Sequence, residues 1–146
     1  MKQGTSSRLG WTLTGLFSTF LLLASIAPKL LGAEVASQTL VELGWRGEAA
    51  LLLGIVELLC LLLYLAPRTE VLGAVLMTGL LGGAMATHLR VGSSLFSHVL
   101  FGLYLGVFMW GGLWLRNARL RQLMPLRVLA AAGHEGEGEL VDTATR

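Results

Sequence analysis

An acidic residue inside an apolar stretch is the first feature of the sequence that could carry chemistry. Glu57 lies in GIVELLCLLLYLAPR, residues 54–68, where no other residue before Arg68 carries a charge. A charged carboxylate near the centre of a membrane costs roughly 2.5 kcal/mol or more. Glu57 is therefore predicted to be paired with a cation or protonated. Intramembrane ionisable groups are candidates for binding and proton exchange.

Side chains that could pair with Glu57 occur near the ends of the other apolar stretches. They are Lys29, His88, Arg90 and His98. A lysine side chain can reach inward or extend toward the membrane surface, so the pairing of Lys29 with Glu57 stays open at this stage. With Glu57, these residues predict a polar ligand-binding pocket in the outer half of the membrane. The alternative is that Lys29 and Arg90 only anchor helix ends, that His88 is solvated or caps its helix, and that Glu57 is a structural hydrogen-bonding group.

Other chemistry finds little support in the sequence. Two histidines, His88 and His98, could in principle ligate a haem, but they are expected at different depths and no other haem signal is present. The single cysteine, Cys60, excludes an intramolecular disulfide. We find no metal-binding cluster, nucleotide-binding loop or catalytic triad motif. The residues therefore leave the cofactor undetermined and give little support to a haem.

The elements that must position these residues are transmembrane helices. Apolar residues make up 54% of the chain and charged residues 14%, and the mean hydropathy is +0.70. Four apolar runs each approach the ~20 residues that a bilayer requires, and backbone groups in hydrocarbon must be hydrogen-bonded within a helix. The prediction is an all-α integral membrane four-helix bundle with helices at about 9–31, 49–66, 71–89 and 93–115. The first run is too long for a signal peptide and is expected to be retained.

The distribution of basic residues predicts the orientation of these helices. With four helices both termini lie on one side, and eight of the eleven Lys and Arg residues fall there. Because positive charge accumulates on the cytoplasmic side, both termini are predicted to be cytoplasmic. The net charge of +2 then reflects topology and gives no reason to expect a nucleic-acid partner.

The remaining segments are short. Residues 1–8 form a cytoplasmic N-terminus in this scheme, and residues 117–146 form a cytoplasmic tail that is first basic and then acidic and is expected to be disordered. The longest connection, residues 32–47, is predicted to contain a short surface helix that ends at Gly44. The alternative for this connection is an ordered loop.

Glycines at four-residue spacing indicate where helices could pack closely. They are Gly79 and Gly83 in the third run and Gly102 and Gly106 in the fourth. Small residues let helix backbones approach each other in a membrane, where lipid supplies no hydrophobic driving force. Packing within one bundle and packing between subunits both remain open.

Several strings of residues resemble the DoxX-like family of small four-helix membrane proteins. They are GIVELLCLLLYLAPRTE, GAMATHLRVG, AlaProLysLeu at 27–30 and LeuGlyTrp at 43–45, and the similarity extends over about residues 9–116. The resemblance implies a four-helix bundle and, for the namesake members, association with quinone-linked oxidation of sulfur compounds. It also favours Glu57, Lys29 and His88 as a polar pocket. No catalytic signature of the family can be carried over to this chain.

Three function classes follow from these observations. The first is a quinone-binding or redox-associated accessory subunit, the second a small proton-coupled transporter, and the third a structural membrane subunit without its own chemistry. Whether the protein is an enzyme stays undecided. The expected partners are the lipid bilayer and either a redox protein or further copies of the chain, and the expected location is the bacterial inner membrane.

Overall fold

A computed structural model describes residues 3–124 of the chain. Within this range the ordered segments are all helical, which confirms the all-α class. The segments are α1 (Gln3–Leu21), a π-helical turn (Leu22–Ile26), α2 (Ala27–Leu30), α3 (Glu34–Glu42), α4 (Ala49–Leu65), α5 (Glu70–Arg90), a second π-helical turn (Leu95–Val99), α6 (Phe101–Arg116) and α7 (Ala118–Leu123). Residues 125–146, most of the predicted tail, lie outside the described range.

Proline gives a physical reason for the π-helical turn between α1 and α2. Pro28 lacks a backbone N–H, and in a regular α-helix its ring would clash with the carbonyl of the residue four positions earlier. The wider turn at Leu22–Ile26 directly precedes α2, in which Pro28 occupies one of the first two positions. The helix axis therefore continues through the proline with a local change in winding.

Local signals also set the ends of α4 and α5. Ala66 stands before Pro67 and has an extended backbone (ψ 125°), the conformation that a following proline favours, so α4 ends at Leu65. After the turn, the hydroxyl of Thr69 donates to the carbonyl of Leu63 at 2.9 Å and fixes the start of α5 against the end of α4. The two helices then pack along each other.

The core of residues 3–116 lies where α1 packs on α6, α4 on α5, and α5 on α6. Its largest fully buried side chains include Tyr64, Met77, Met109 and Leu113. Two close helix crossings depend on glycine. A Cβ on Gly73 would overlap the backbone of Tyr64, and a Cβ on Gly10 would lie 2.7 Å from the backbone nitrogen of Arg116.

Large apolar side chains remain exposed along the outer faces of these helices. Leu23, Leu52 and Val107 are each more than 60% exposed. In the described part of the chain, the helical stretch Ser6–Leu30 and the helix Glu70–Arg90 are long and apolar enough to cross a membrane, and Ala49–Leu65 is a shorter apolar helix. Such faces are expected of helices that contact lipid.

The last described helix belongs to a separate unit, residues 117–146. The side-chain oxygen of Asn117 accepts hydrogen bonds from the backbone N–H groups of Arg119 and Leu120, at 2.9 and 3.1 Å. This is an ordinary N-terminal cap, and α7 begins at the next residue, Ala118.

Candidate functional site

The centre of the candidate site is an ion pair between α2 and α4. The ammonium nitrogen of Lys29 lies 2.7 Å from Oε2 of Glu57, and the two side chains are 20% and 12% exposed. The structure therefore brings together the acid that the sequence singles out and one of its four candidate partners. At this degree of burial neither charge is well solvated, so each depends on the other for stabilisation.

Ser25 completes a three-residue cluster, which we call the Lys29–Glu57 site. Its hydroxyl donates to Oε2 of Glu57 at 3.0 Å and accepts a hydrogen bond from Lys29 at 2.5 Å. Ser25 belongs to the π-helical turn Leu22–Ile26, a type of turn that is frequent at functional sites. The sequence prediction missed this serine, although its position four residues before Lys29 places both on one helix face and could have identified it.

Unused hydrogen-bonding capacity remains at this site. The hydrogen bonds that Glu57 receives from described residues all end on Oε2, which leaves Oε1 as an available acceptor. Lys29 has three N–H donors and gives two of them to Ser25 and Glu57. The site can therefore offer one donor and one acceptor to a bound molecule without breaking its own ion pair.

Gly54 allows α2 to come close enough for this ion pair to form. It lies one turn before Glu57 on α4 and is buried. A Cβ at this position would lie 2.8 Å from Cβ of Lys29 and 3.2 Å from a methyl carbon of Leu30. A larger residue at 54 would push Lys29 away from Glu57.

A pocket of about 340 Å³ adjoins the ion pair on the side of α3. Lys29 is one of its lining residues, and the walls come from two parts of the chain. One wall is the end of α2 with the beginning of α3, and the other is the beginning of α4. The lining residues are Lys29, Leu30, Leu31, Gly32, Ala33, Ser37, Gly47, Glu48, Ala50 and Leu51. The Lys29 side of the ion pair thus borders a pocket whose volume falls in the range of small-molecule sites.

The contacts described for His88 and Arg90 lie in other segments of the chain. Nδ1 of His88 lies 3.1 Å from the hydroxyl of Ser93, in the turn that follows α5. The guanidinium group of Arg90 donates to the backbone carbonyl of Leu43 at 2.8 Å. The side chain of His98 lies outside the described residues. Among the contacts described, those of His88 and Arg90 are with segments other than the Lys29–Glu57 site.

The four glycines predicted to mediate helix packing have different surroundings. A Cβ on Gly102 would lie 2.7 Å from Cγ of Met85, so α6 and α5 are in close contact there. At Gly79, Gly83 and Gly106 a Cβ would meet nothing within 4 Å. No described residue packs closely at these three positions, and the predicted packing there stays a prediction.

A second polar cluster, which the sequence prediction missed, surrounds Arg116 at the end of α6. Its guanidinium donates to the carbonyl of Tyr64 at 2.8 Å and lies 3.4 Å from the carboxylate of Glu70. The side chain of Arg116 is 2% exposed. Its guanidinium carbon, Cζ, lies 4.6 Å from the centre of the Trp11 ring and 5.0 Å from the centre of the Tyr64 ring. Arg116 thus joins α6 to the turn between α4 and α5, and the ring contacts add cation–π stabilisation.

Tyr64 connects this cluster to α1. Its hydroxyl donates to the carbonyl of Met109 at 3.0 Å and lies 3.2 Å from the hydroxyl of Thr14. Tyr64 and Thr14 are both buried, so their polar groups need these partners. This cluster ties α1, α4, α5 and α6 together and has the character of a structural network.

No group of three or more His, Cys, Asp or Glu side chains suited to a metal ion occurs among the described residues. The candidate functional site is the Lys29–Glu57 site with its pocket.

Comparison with known protein families gives a match over most of the helical region. The sequence model of the DoxX-like family matches residues 12–112, more than half of the chain. This range contains Ser25, Lys29 and Glu57 and ends before Arg116. No curated protein and no solved structure gives a significant match.

Proposed function

The chain belongs to the DoxX-like family of membrane proteins, and from that premise we propose that it is a quinone-binding, redox-associated accessory subunit. The proposed binding site is the Lys29–Glu57 site. The observation that carries the proposal is the ion pair of 2.7 Å, which is largely removed from solvent and whose lysine lines a pocket. Removing two charges from water costs free energy, and intramembrane ionisable groups are by default candidates for functional sites.

The free groups of the site suit the two redox forms of a quinone. The oxidised ring presents carbonyl oxygens, which accept hydrogen bonds, and the remaining N–H of Lys29 can donate to one of them. The reduced ring presents hydroxyl groups, and Oε1 of Glu57 can accept a hydrogen bond from one of them. Glu57 and Lys29 together therefore provide a place where a proton can be held as the ring changes its oxidation state.

Electrons must come from another protein in this proposal. Among the described residues there is no set of side chains for a metal centre, and the sequence has no cofactor motif. We therefore assign the chain the role of positioning and protonating the quinone, with a redox partner supplying the electrons.

The proposal includes a four-helix bundle that crosses the bacterial inner membrane several times, with both termini in the cytoplasm. It rests on the four apolar runs and on the grouping of Lys and Arg at one end of them. In this orientation α3 and the pocket face the outer side.

A topology experiment checks this arrangement. Tags at either terminus should be protected from external protease in intact cells, whereas a protease site inserted at Ser37 should be cut. Both parts follow from an even number of crossings with α3 outside. External cleavage of a C-terminal tag, with the membrane intact, would mean an odd number of crossings or the opposite orientation.

A structural subunit is the second candidate function. The observation that favours it is the row Gly79, Gly82 and Gly83 on α5, where a Cβ would meet no described residue within 4 Å beyond the neighbouring residues of its own helix. An open small-residue face of this kind suits contact with a helix of another subunit. In this case the Lys29–Glu57 site would only stabilise the fold.

The two functions differ in what the purified protein carries. Extraction in mild detergent, followed by absorbance and mass spectrometry, should reveal quinone that co-purifies with the parent protein. The Glu57→Gln variant should have lost most of it while keeping its helical content. Equal quinone content in both variants, or none in either after addition of quinone, would favour the structural subunit.

A further inference from the structure

We propose that α3 is a hinged lid over the Lys29–Glu57 site and that Arg90 holds it closed. This inference rests on the proposed function for its meaning, because a lid regulates access only if the site binds a ligand. Its structural basis lies in how α3 is attached to the rest of the chain.

The first observation is that α3 forms one wall of the pocket. Gly32, Ala33 and Ser37 line the pocket from the side of α3, and Gly47, Glu48, Ala50 and Leu51 line it from the side of α4. Movement of α3 away from α4 would therefore open the pocket and expose Lys29.

The second observation is that few apolar contacts hold α3 in place. Leu40 is its only buried side chain, and the exposed residues of the helix include Val35 and Val41, at 67% and 59%. It approaches the opposite wall at Gly47, where an added Cβ would lie 3.3 Å from Cβ of Ser37. An element that packs so little apolar surface against the rest of its own chain separates from it at low cost.

Glycines flank α3 at both ends. Gly32 has φ +68° and Gly44 has φ +78°, values that other residues rarely adopt. Gly32 lies between α2 and α3, and Gly44 lies just after α3. Because glycine also has access to many other backbone conformations, these two positions can absorb the change in direction that a moving helix needs.

Arg90 supplies the hydrogen bond that holds α3 in the closed position, and we call this contact the latch. It comes from the end of α5, and its guanidinium donates to the carbonyl of Leu43, the residue that follows α3. A guanidinium nitrogen also lies 3.0 Å from the Cβ position of Gly44. One charge-assisted hydrogen bond thus ties the C-terminal hinge to a long helix, while no side chain caps the N-terminal end of α3.

A reversible cross-link tests the lid directly. Replacing Ser37 and Gly47 by cysteine, in a Cys60→Ala background, puts two thiols at a separation that a disulfide can span after a small shift. The readout is the rate at which a small amine-reactive reagent modifies Lys29, measured by peptide mass spectrometry. Lys2 is the only other lysine and serves as an internal reference.

If α3 is a lid, oxidation of this double-cysteine protein should slow the modification of Lys29 at least tenfold, and reduction should restore the original rate. Modification of Lys2 should stay unchanged throughout. Equal rates for Lys29 in the oxidised and reduced protein would overturn the lid.

Arg90→Ala provides an independent arm that does not need the cross-link. Loss of the latch should raise the rate of Lys29 modification severalfold. The matched control is Arg46→Ala, because Arg46 lies in the same outer connection and pairs with Glu48, with both side chains more than 80% exposed. Arg46→Ala should leave the rate unchanged, and a rate for Arg90→Ala equal to that of the parent would remove Arg90 from the latch.

Quinone binding, measured in the same proteins, separates this inference from the proposed function. If oxidation protects Lys29 and no quinone binds, the lid stands and the quinone site fails. If a quinone binds equally fast to the oxidised and reduced proteins, the quinone site stands and the lid fails.

Discussion

Replacing Gly73 by alanine is expected to destabilise the protein more than any other single-methyl change in the described helices. A Cβ at this position would overlap the backbone nitrogen of Tyr64 and lie 2.5 Å from its Cα. Backbone atoms cannot rotate away as a side chain can, so α4 and α5 would have to separate. Overpacking of this kind costs about 3 kcal/mol. A thermal unfolding curve in detergent or nanodiscs would show a large drop in midpoint, or the variant would fail to accumulate.

Gly79→Ala is the matched control, since it adds the same methyl group to the same helix. A Cβ there would meet nothing within 4 Å, and alanine is the better helix former, so its effect should be neutral or stabilising by up to about 1 kcal/mol. Gly10→Ala and Gly15→Ala form a second such pair on α1, tight and open respectively. Similar midpoints for Gly73→Ala and Gly79→Ala would contradict the close crossing of α4 and α5.

The second large effect is expected at the ion pair itself. Glu57→Gln keeps the shape of the side chain but leaves the charge of Lys29 without its partner. The side chain of Lys29 is only 20% exposed, so water solvates this charge poorly. Breaking a fully buried pair costs 3–5 kcal/mol, and the partial exposure of Lys29 reduces this to about 2 kcal/mol. Lys29→Met should cost a similar amount by stranding Glu57.

The double variant separates pairing from packing. If the two charges depend on each other, Lys29→Met with Glu57→Gln should recover most of the stability that either single change loses, because no unpaired charge remains. Glu48→Gln is the control, because the pair of Arg46 and Glu48 is 85% and 83% exposed and its loss should matter by less than about 0.5 kcal/mol. Strictly additive losses in the double variant would argue against the ion pair.

The sequence predicts the helical class because hydropathy and helix length are local properties. Long apolar runs without charge require internally satisfied backbones, and the observed helices α4 and α5 fall where such runs occur. The π-helical turn before Pro28 was not predicted, because a proline in an apolar run signals a disturbance without saying which form it takes. The short helix α3 lies within the stretch where a surface helix is expected and ends before Gly44.

The candidate site could be predicted only in part. Glu57 stands out because a carboxylate in an apolar run is rare, but the sequence offers four possible partners and no means to choose among them. The choice of Lys29 depends on Gly54, which lets α2 approach α4, and this contact is a property of the packed structure. Arg90 was expected near Glu57 but instead donates to the backbone carbonyl of Leu43. A sequence cannot predict such a contact, because every residue has a backbone carbonyl.

The Arg116 cluster was missed for a related reason. In the sequence Arg116 begins a basic stretch that also contains Arg119 and Arg121, and such stretches normally report membrane orientation. Its burial arises because Glu70, Trp11 and Tyr64 come from three other helices and meet at one point. A contact among residues so distant in the chain is set by the tertiary fold.

Quinone affinity of the parent and of two matched variants is the most direct test of the central claim that the Lys29–Glu57 site binds a quinone. The measurement is a titration of the detergent-solubilised, full-length protein with a short-chain quinone. Glu57→Gln should weaken binding at least tenfold while keeping its helical content. Glu70→Gln, which removes a carboxylate from the Arg116 cluster, should bind as the parent does wherever it remains folded. Equal affinity in the parent and in Glu57→Gln would contradict the account.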